Sequence, residues 1–234
     1  MDKDTIKLLC KQFEINEDVV NFVNSKEILI KDKFIEIDKI KEYNQYKILH
    51  SMHKARLSAT NFHWTTGYGY GDIGRDKVEE IYSLVFNAED ALVRPTIASG
   101  THAITLCLSG LLRPGDEFIS IAGSPYDTLR EVIGTEGNQD GTLLEYGIKY
   151  KEIPLKDGKI NTKEVIENIS KNTKLLLIQR STGYSTRKAI TIQEIKKVIE
   201  EIKGFNKEII IMVDNCYGEF VEKIEPTDIG ADII

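Results

Sequence analysis

The chain has 234 residues, 41% hydrophobic and 29% charged, the balance of a soluble globular protein with enough apolar material for one large domain, or one and a piece of another. A net charge of −6 with no concentrated basic patch argues against a nucleic-acid surface, and no apolar run approaches the ~20 residues that span a bilayer. Cys10, Cys107 and Cys216 are far apart, odd in number and without a CxxC pair, so reduced thiols are expected and no zinc site or disulfide framework. Met1 is followed by charge rather than by a signal-peptide core, and a cytoplasmic protein without membrane or nucleic-acid partners is expected.

From Lys3 to Val23, and again from Glu27 to Arg56, apolar residues recur at helical spacing among Lys and Glu, which predicts two helices with a break near Asn24 and Ser25. These helices look like an arm that packs on another surface. Residues 61–75 differ in kind: four Gly, two Tyr, the only Trp and little aliphatic material predict a loop. A helix follows from Asp76 to Phe86, with Asp72 or Asp76 near its start.

Beyond it the pattern alternates. Strands are predicted at Ala91–Ile97, Glu117–Ala122, Tyr150–Leu155, Lys174–Gln179 and Ile209–Val213. Helices are predicted at Thr101–Leu112, Asp127–Ile133, Asn161–Ile169 and Ile192–Ile202. Such alternation implies an α/β fold, a mainly parallel sheet flanked by helices, with ligands beyond the C-terminal strand ends. Ala231 to Ile234 opens one more apolar run, and a chain ending there is expected to be cut short, because unpaired strand backbone is costly.

Four segments carry chemistry, each with a plainer reading beside it. Ser99-Gly100-Thr101-His102 opens a helix whose N–H groups suit a phosphate, or Ser99 or Thr101 is an ordinary cap. Pro125-Tyr126-Asp127 follows the next strand, so Tyr126 stacks on a ring or packs on the sheet edge. Gln179-Arg180-Ser181 ends a buried strand, and Arg180 either grips an anion or starts an exposed loop. Asp214 ends the apolar run Ile209–Val213, as a site carboxylate or as a helix cap.

Gly69-Tyr70-Gly71-Asp72-Ile73-Gly74 satisfies GxGxxG, but no buried strand feeds it and Asp72 would sit beside the phosphates, so a dinucleotide site is disfavoured. His50 and His53 lack a third ligand, which argues against a metal. The absence of a GxSxG elbow and of a P-loop removes support for those hydrolase and nucleotidase classes.

A phosphate-type helix start, an aromatic residue, a polar strand end and a strand-end Asp come in the order in which a pyridoxal phosphate site is built. On Thr66-Gly67-Tyr68-Gly69-Tyr70-Gly71-Asp72-Ile73-Gly74-Arg75-Asp76, Ala91-Leu92-Val93-Arg94, Ser99-Gly100-Thr101-His102-Ala103-Ile104, Ser124-Pro125-Tyr126-Asp127-Thr128-Leu129 and Val213-Asp214-Asn215-Cys216-Tyr217-Gly218-Glu219-Phe220, nearly the whole chain resembles the bacterial aluminium resistance proteins. These are methionine gamma-lyase-like and cystathionine beta-lyase-like carbon–sulfur lyases that depend on pyridoxal 5'-phosphate and have fold type I.

The resemblance implies an N-terminal helical arm over 1–60 and a cofactor-binding large domain over 61–234, incomplete at its C-terminus. It implies that Gly100, Thr101 and the His102 backbone hold the cofactor phosphate, that Tyr126 covers the ring, and that Asp214 pairs with the ring nitrogen. Tyr68, the catalytic candidate, and Tyr70 would lie in a loop offered to a neighbouring subunit, in a homodimer or homotetramer with shared sites. Arg180 and Ser181 would face the ring oxygen or the substrate, and Thr182 departs from the basic residue expected there.

The reaction implied is elimination from the β or γ carbon of a sulfur-containing amino acid. The Schiff-base lysine is expected just beyond Ile234, Lys223 being too early in the chain. Rival expectations are a non-catalytic remnant that binds the cofactor noncovalently or pairs with a full-length partner, and another fold type I activity such as an aminotransferase.

Overall fold

The computed structural model describes residues 1–65 and 70–234. The chain divides into two compact units, Met1–Tyr46 and Lys47–Ile234. The first contains α1 (Lys3–Gln12), α2 (Glu17–Leu29) and most of α3 (Lys31–Lys54), which continues into the second unit. Asp2 caps α1 by accepting from the N–H groups of Asp4 and Thr5, and Asn16 caps α2 by accepting from Asp18.

The predicted break at Asn24 and Ser25 does not occur. Both lie inside α2, where the Ser25 hydroxyl donates to the Phe22 carbonyl at 2.6 Å and so takes an intrahelical acceptor. The chain breaks instead around Glu14, in the left-handed region at φ 53°, and at Ile30. Phe13, Val19, Phe22, Ile28 and Leu29 of this unit are exposed.

In the larger unit, α4 (Ile73–Val85) is capped by Asp72, the nearer of the two predicted carboxylates. Ala55, Ile81 and Val85 form a small core there with Phe86 and Phe220. Gly74 lies inside α4, where an added Cβ would come within 2.6 Å of the Asn61 carbonyl oxygen, so close helix packing explains this glycine.

The predicted strand Ala91–Ile97 is not one. The Val93 N–H donates to the Glu79 carboxylate, Arg94 pairs with the same carboxylate, and Pro95 has no N–H to give a ladder.

After α5 (Gly100–Leu111) come β1 (Glu117–Ser120), α6 (Asp127–Ile133), β2 (Lys149–Glu152), α7 (Thr162–Asn168), β3 (Thr173–Gln179), α8 (Ile192–Phe205) and β4 (Ile210–Asp214). The four strands pair in parallel in the order β2-β1-β3-β4. One face of the sheet, with Ile119, Leu176, Ile178, Ile211 and Val213, packs on α7 and α8. The other, with Phe118, Leu175, Leu177 and Met212, packs on α5 and α6.

The direction of strand addition reverses after β2 and the covering face changes with it, which keeps the crossovers of one hand. Ile192, Ile195, Val198, Ile199 and Ile202 form the buried stripe of α8, each side chain contributing roughly 1.5–3 kcal/mol by burial. Past a short turn at Pro226–Ile229, the N–H of Val213 donates to the Ile233 carbonyl at 2.9 Å, so the last residues pair alongside β4. Among the described residues, no helix is long and apolar enough to cross a membrane.

Candidate functional site

The chain leaves β1 towards one edge of the sheet and β3 towards the other, so the reversal point lies between the C-terminal ends of these two neighbouring strands. This is where open α/β sheets bind ligands. Tyr126 enters from the β1 side, and its N–H donates to the Gln179 side-chain oxygen on β3 at 3.0 Å. Its hydroxyl donates to the Thr101 hydroxyl at the start of α5 at 3.1 Å, and Thr101 also meets the Thr128 hydroxyl at 2.9 Å. Gln179 is in register with Asp214 on β4. The start of α5, Tyr126, Gln179 and Asp214 therefore form one connected constellation.

At the α5 N-terminus, Ser99 is the cap, its hydroxyl accepting the His102 N–H at 3.1 Å. Of the three residues expected at a phosphate, His102 thus has its N–H engaged. Its ring Nδ1 accepts from the Ala98 N–H, which puts the proton of the neutral ring on Nε2. Gly100 and Thr101 retain the N–H groups that a helix start leaves without an intrahelical partner. At Gly100 an added Cβ would meet nothing within 4 Å, so the backbone there is open to close approach.

Asp214 is half-buried, with Oδ1 accepting the Cys216 N–H at 3.1 Å. Burial pushes its carboxyl above the ordinary range; the Cys216 hydrogen bond opposes this and the Glu219 charge adds to it. Tyr126 is likewise raised by burial, against the Thr101 hydrogen bond, so its hydroxyl stays protonated at neutral pH and can donate.

Arg180 is turned elsewhere. Buried at 4% exposure, its guanidinium donates to the Ile190 carbonyl (3.2 Å), Asn215 Oδ1 (2.8 Å), the Gly218 carbonyl (2.8 Å) and Glu222 (2.6 Å). Asn215 in turn donates to Glu225 at 3.0 Å, and Glu225 accepts the Phe220 N–H at 2.9 Å. Arg180 therefore braces the loop after β4, in which Tyr217 and Phe220 hold positive φ, and presents no free fork to an anion. Ser181 is half-buried at the end of β3 and Tyr70 is 91% exposed, outside the constellation. Tyr68 lies outside the described residues.

Two residues of the crevice were not singled out from the sequence. Gln179, the bridge to Tyr126, was visible only as part of a polar strand end. Arg187 donates through Nη2 to the carbonyls of Gln179 (2.9 Å) and Ser181, and its signal was the cation pair Arg187-Lys188 after a run of Ser, Thr, Gly and Tyr.

Known proteins resemble the chain over most of its length. The family model for methionine gamma-lyase matches residues 19–234. The uncharacterized protein YnbB of Bacillus subtilis (strain 168) is 49% identical over 201 residues, 85% of this chain and 48% of that protein. A crystal structure from Clostridium acetobutylicum, described as a candidate cystathionine beta-lyase involved in aluminium resistance, superposes with a TM-score of 0.94 at 46% identity. It covers 100% of this chain and 56% of its own. A structure of a carbon–sulfur lyase involved in aluminium resistance from Clostridium novyi NT gives 0.93 at 44% identity, over 100% of this chain and 56% of that one. The chain spans about half the length of these relatives. On the family match and on this identity, the chain belongs to the methionine gamma-lyase family.

Proposed function

We propose that this chain carries the cofactor-holding part of a pyridoxal 5'-phosphate-dependent carbon–sulfur lyase that performs β- or γ-elimination on a sulfur-containing amino acid. The observation that carries the reading is the relay Thr101–Tyr126–Gln179, in register with Asp214. It brings a helix start, an aromatic ring and a strand-end carboxylate to one crevice, matching the phosphate, ring face and ring nitrogen of that cofactor.

The donor set fits. Gly100 and Thr101 would take the phosphate through their N–H groups and the Thr101 hydroxyl, with close approach open at Gly100. Tyr126 would lie against the ring, fixed at both ends by its two hydrogen bonds. Asp214 is a half-buried carboxylate without an ion pair among the described residues, and a protonated ring nitrogen supplies the cation that its environment lacks. When bound, the cofactor supplies an electron sink for charge developing at the substrate Cα.

The chain's own contribution is to hold that sink in its protonated form at Asp214 and to keep the ring from turning between Tyr126 and the α5 start. Removal of the Cα proton is assigned to a lysine that the family resemblance expects beyond Ile234. The complete catalytic unit would be an oligomer in the cytoplasm, with Tyr68 and Tyr70 offered to a neighbouring site.

The test is binding of pyridoxal 5'-phosphate to the 234-residue chain, followed by absorbance and calorimetry. The wild type should bind, while Asp214→Ala and Tyr126→Ala should each bind at least about tenfold more weakly, a loss of roughly 1.4 kcal/mol. No binding by the wild type, or full binding by both variants, would sink the reading.

A further inference from the structure

The place of the Tyr126 ring in the crevice depends on one peptide. The Pro125–Tyr126 peptide is trans, so its carbonyl and its N–H point in opposite directions. Each is held by a side chain from a different part of the fold. The Tyr126 N–H donates to Gln179 Oε1 at 3.0 Å, and the Pro125 carbonyl accepts from Arg130 Nη1 at 2.8 Å. Pro125 is buried, and among the described residues no other donor reaches its carbonyl.

Arg130 reaches this carbonyl because of where α6 puts it. Leu129 and Ile133 turn into the core, and Arg130, beside Leu129, lies half-buried on the flank of the helix. Gly134, at φ 98°, ends α6 in the left-handed conformation and donates its N–H to the Arg130 carbonyl at 2.9 Å. The turn carries Glu136 back along the helix, where its carboxylate accepts from Arg130 Nε at 2.6 Å. The guanidinium thus spans from Glu136, past the end of α6, to Pro125, before its start. Glu136 is exposed, so the ion pair contributes little. The bond to the buried carbonyl counts for more, since leaving such an acceptor without a donor is costly.

Every polar backbone group around the Tyr126 Cα is then engaged. Beyond the two ends of the peptide before it, the Tyr126 carbonyl accepts from the N–H groups of Leu129 and Arg130, each at 3.1 Å. With φ −63° and ψ 161° so fixed, the side-chain torsions remain, and the hydroxyl bond to Thr101 sets the direction of the ring. We propose that Arg130 is a positioning residue: by holding the Pro125 carbonyl it fixes the peptide from which Tyr126 lays its ring against the cofactor. This rests on the pyridoxal 5'-phosphate reading above, in which Tyr126 is the ring contact, and Arg130 acts through Tyr126 alone.

Arg130→Ala removes the donor while giving α6 the residue of highest helical preference, so the helix is kept. In the 234-residue chain, calorimetry should show pyridoxal 5'-phosphate bound roughly three- to tenfold more weakly, the scale of coupling within one hydrogen-bond network. Arg130→Lys keeps a donor on a long stem and should recover part of that affinity. With Tyr126→Ala already in place, Arg130→Ala should cost less than about twofold, because the ring it positions is gone. An equal loss in both backgrounds, no loss in the wild-type background, or an Arg130→Lys variant no better than Arg130→Ala overturns the proposal.

A second measurement needs no cofactor. The Tyr126 ring resonances, identified among those of the ten tyrosines by their absence in Tyr126→Ala, should move in Arg130→Ala and return towards the wild-type position in Arg130→Lys. Unmoved resonances overturn the positioning role. Failure of the wild type to bind pyridoxal 5'-phosphate overturns the cofactor reading instead, and the resonances then judge the hold of Arg130 on Tyr126 by themselves.

Discussion

Replacing Arg180 by Ala tests whether one buried guanidinium holds the loop that follows Asp214. The side chain makes four donated hydrogen bonds at 4% exposure, one of them an ion pair with Glu222. Truncation removes this donor from the Ile190 carbonyl and Asn215 Oδ1, leaves the Gly218 carbonyl with the Val221 N–H, and leaves the Glu222 carboxylate without this cation. The Arg180 end of the pair is buried and the Glu222 end only half-buried, so the cost lies in the lower part of the range for a broken buried pair, about 3–4 kcal/mol. With a urea dependence of about 2 kcal/mol per molar, the midpoint of unfolding should fall by roughly 2 M.

Far-UV circular dichroism is the suitable probe, because Trp64, the only tryptophan, is 95% exposed and senses little of the core. Arg180→Lys should recover only part of the loss, since a single ammonium cannot reach four acceptors spread over Ile190, Asn215, Gly218 and Glu222. A loss below about 1 kcal/mol for Arg180→Ala, the scale of an exposed pair, would refute the reasoning.

Two further substitutions separate opposite electrostatic signs. The carboxyl of Asp214 is raised in the folded chain, so its contribution to stability is present below the unfolded pKa and is lost as pH rises through the folded one. Asp214→Asn should therefore stabilise the cofactor-free chain near pH 7 more than in acid while weakening pyridoxal 5'-phosphate binding; a variant destabilised at pH 7 and unchanged in affinity would contradict this. At the other end of the sheet, burial raises the Glu117 carboxyl, but hydrogen bonds from Thr173 and Ser170 and the Lys151 ion pair outweigh it and leave it lowered. Its contribution is present above the unfolded pKa and is lost as pH falls through the folded one, so Glu117→Gln should cost stability at pH 7 and little in strong acid. Thermal melts at the two pH values check the sign, and an equal cost at both would show that the charge is immaterial.

The sequence by itself determined the strand and helix alternation from Thr101 to Asp214, because buried parallel strands such as Leu175–Ile178 are continuous apolar runs and α8 shows one five-residue apolar stripe. It also placed Gly100 and Thr101 at a helix start, Tyr126 in the turn after β1 and Asp214 at the end of β4, where the structure has them. Local pattern misled where a side chain supplied the competing partner. Ala91–Ile97 has strand composition, yet the Glu79 side chain takes its N–H, and Ser25 looks like a helix break, yet its hydroxyl has a carbonyl one turn back.

Only the tertiary structure decided the roles of the two arginines after β3. Arg180 directly follows the strand and Arg187 lies further along the loop after it, with nothing local to rank them. Arg180 meets Asn215, Gly218 and Glu222, 35 or more positions away, and is consumed in bracing the loop after Asp214. Among the described residues, Arg187 bonds main-chain oxygens alone, those of Gln179, Ser181 and Lys188, and has no carboxylate partner. Which cation is spent within the fold depends on which strands become neighbours, and strand order is set by packing across the whole sheet.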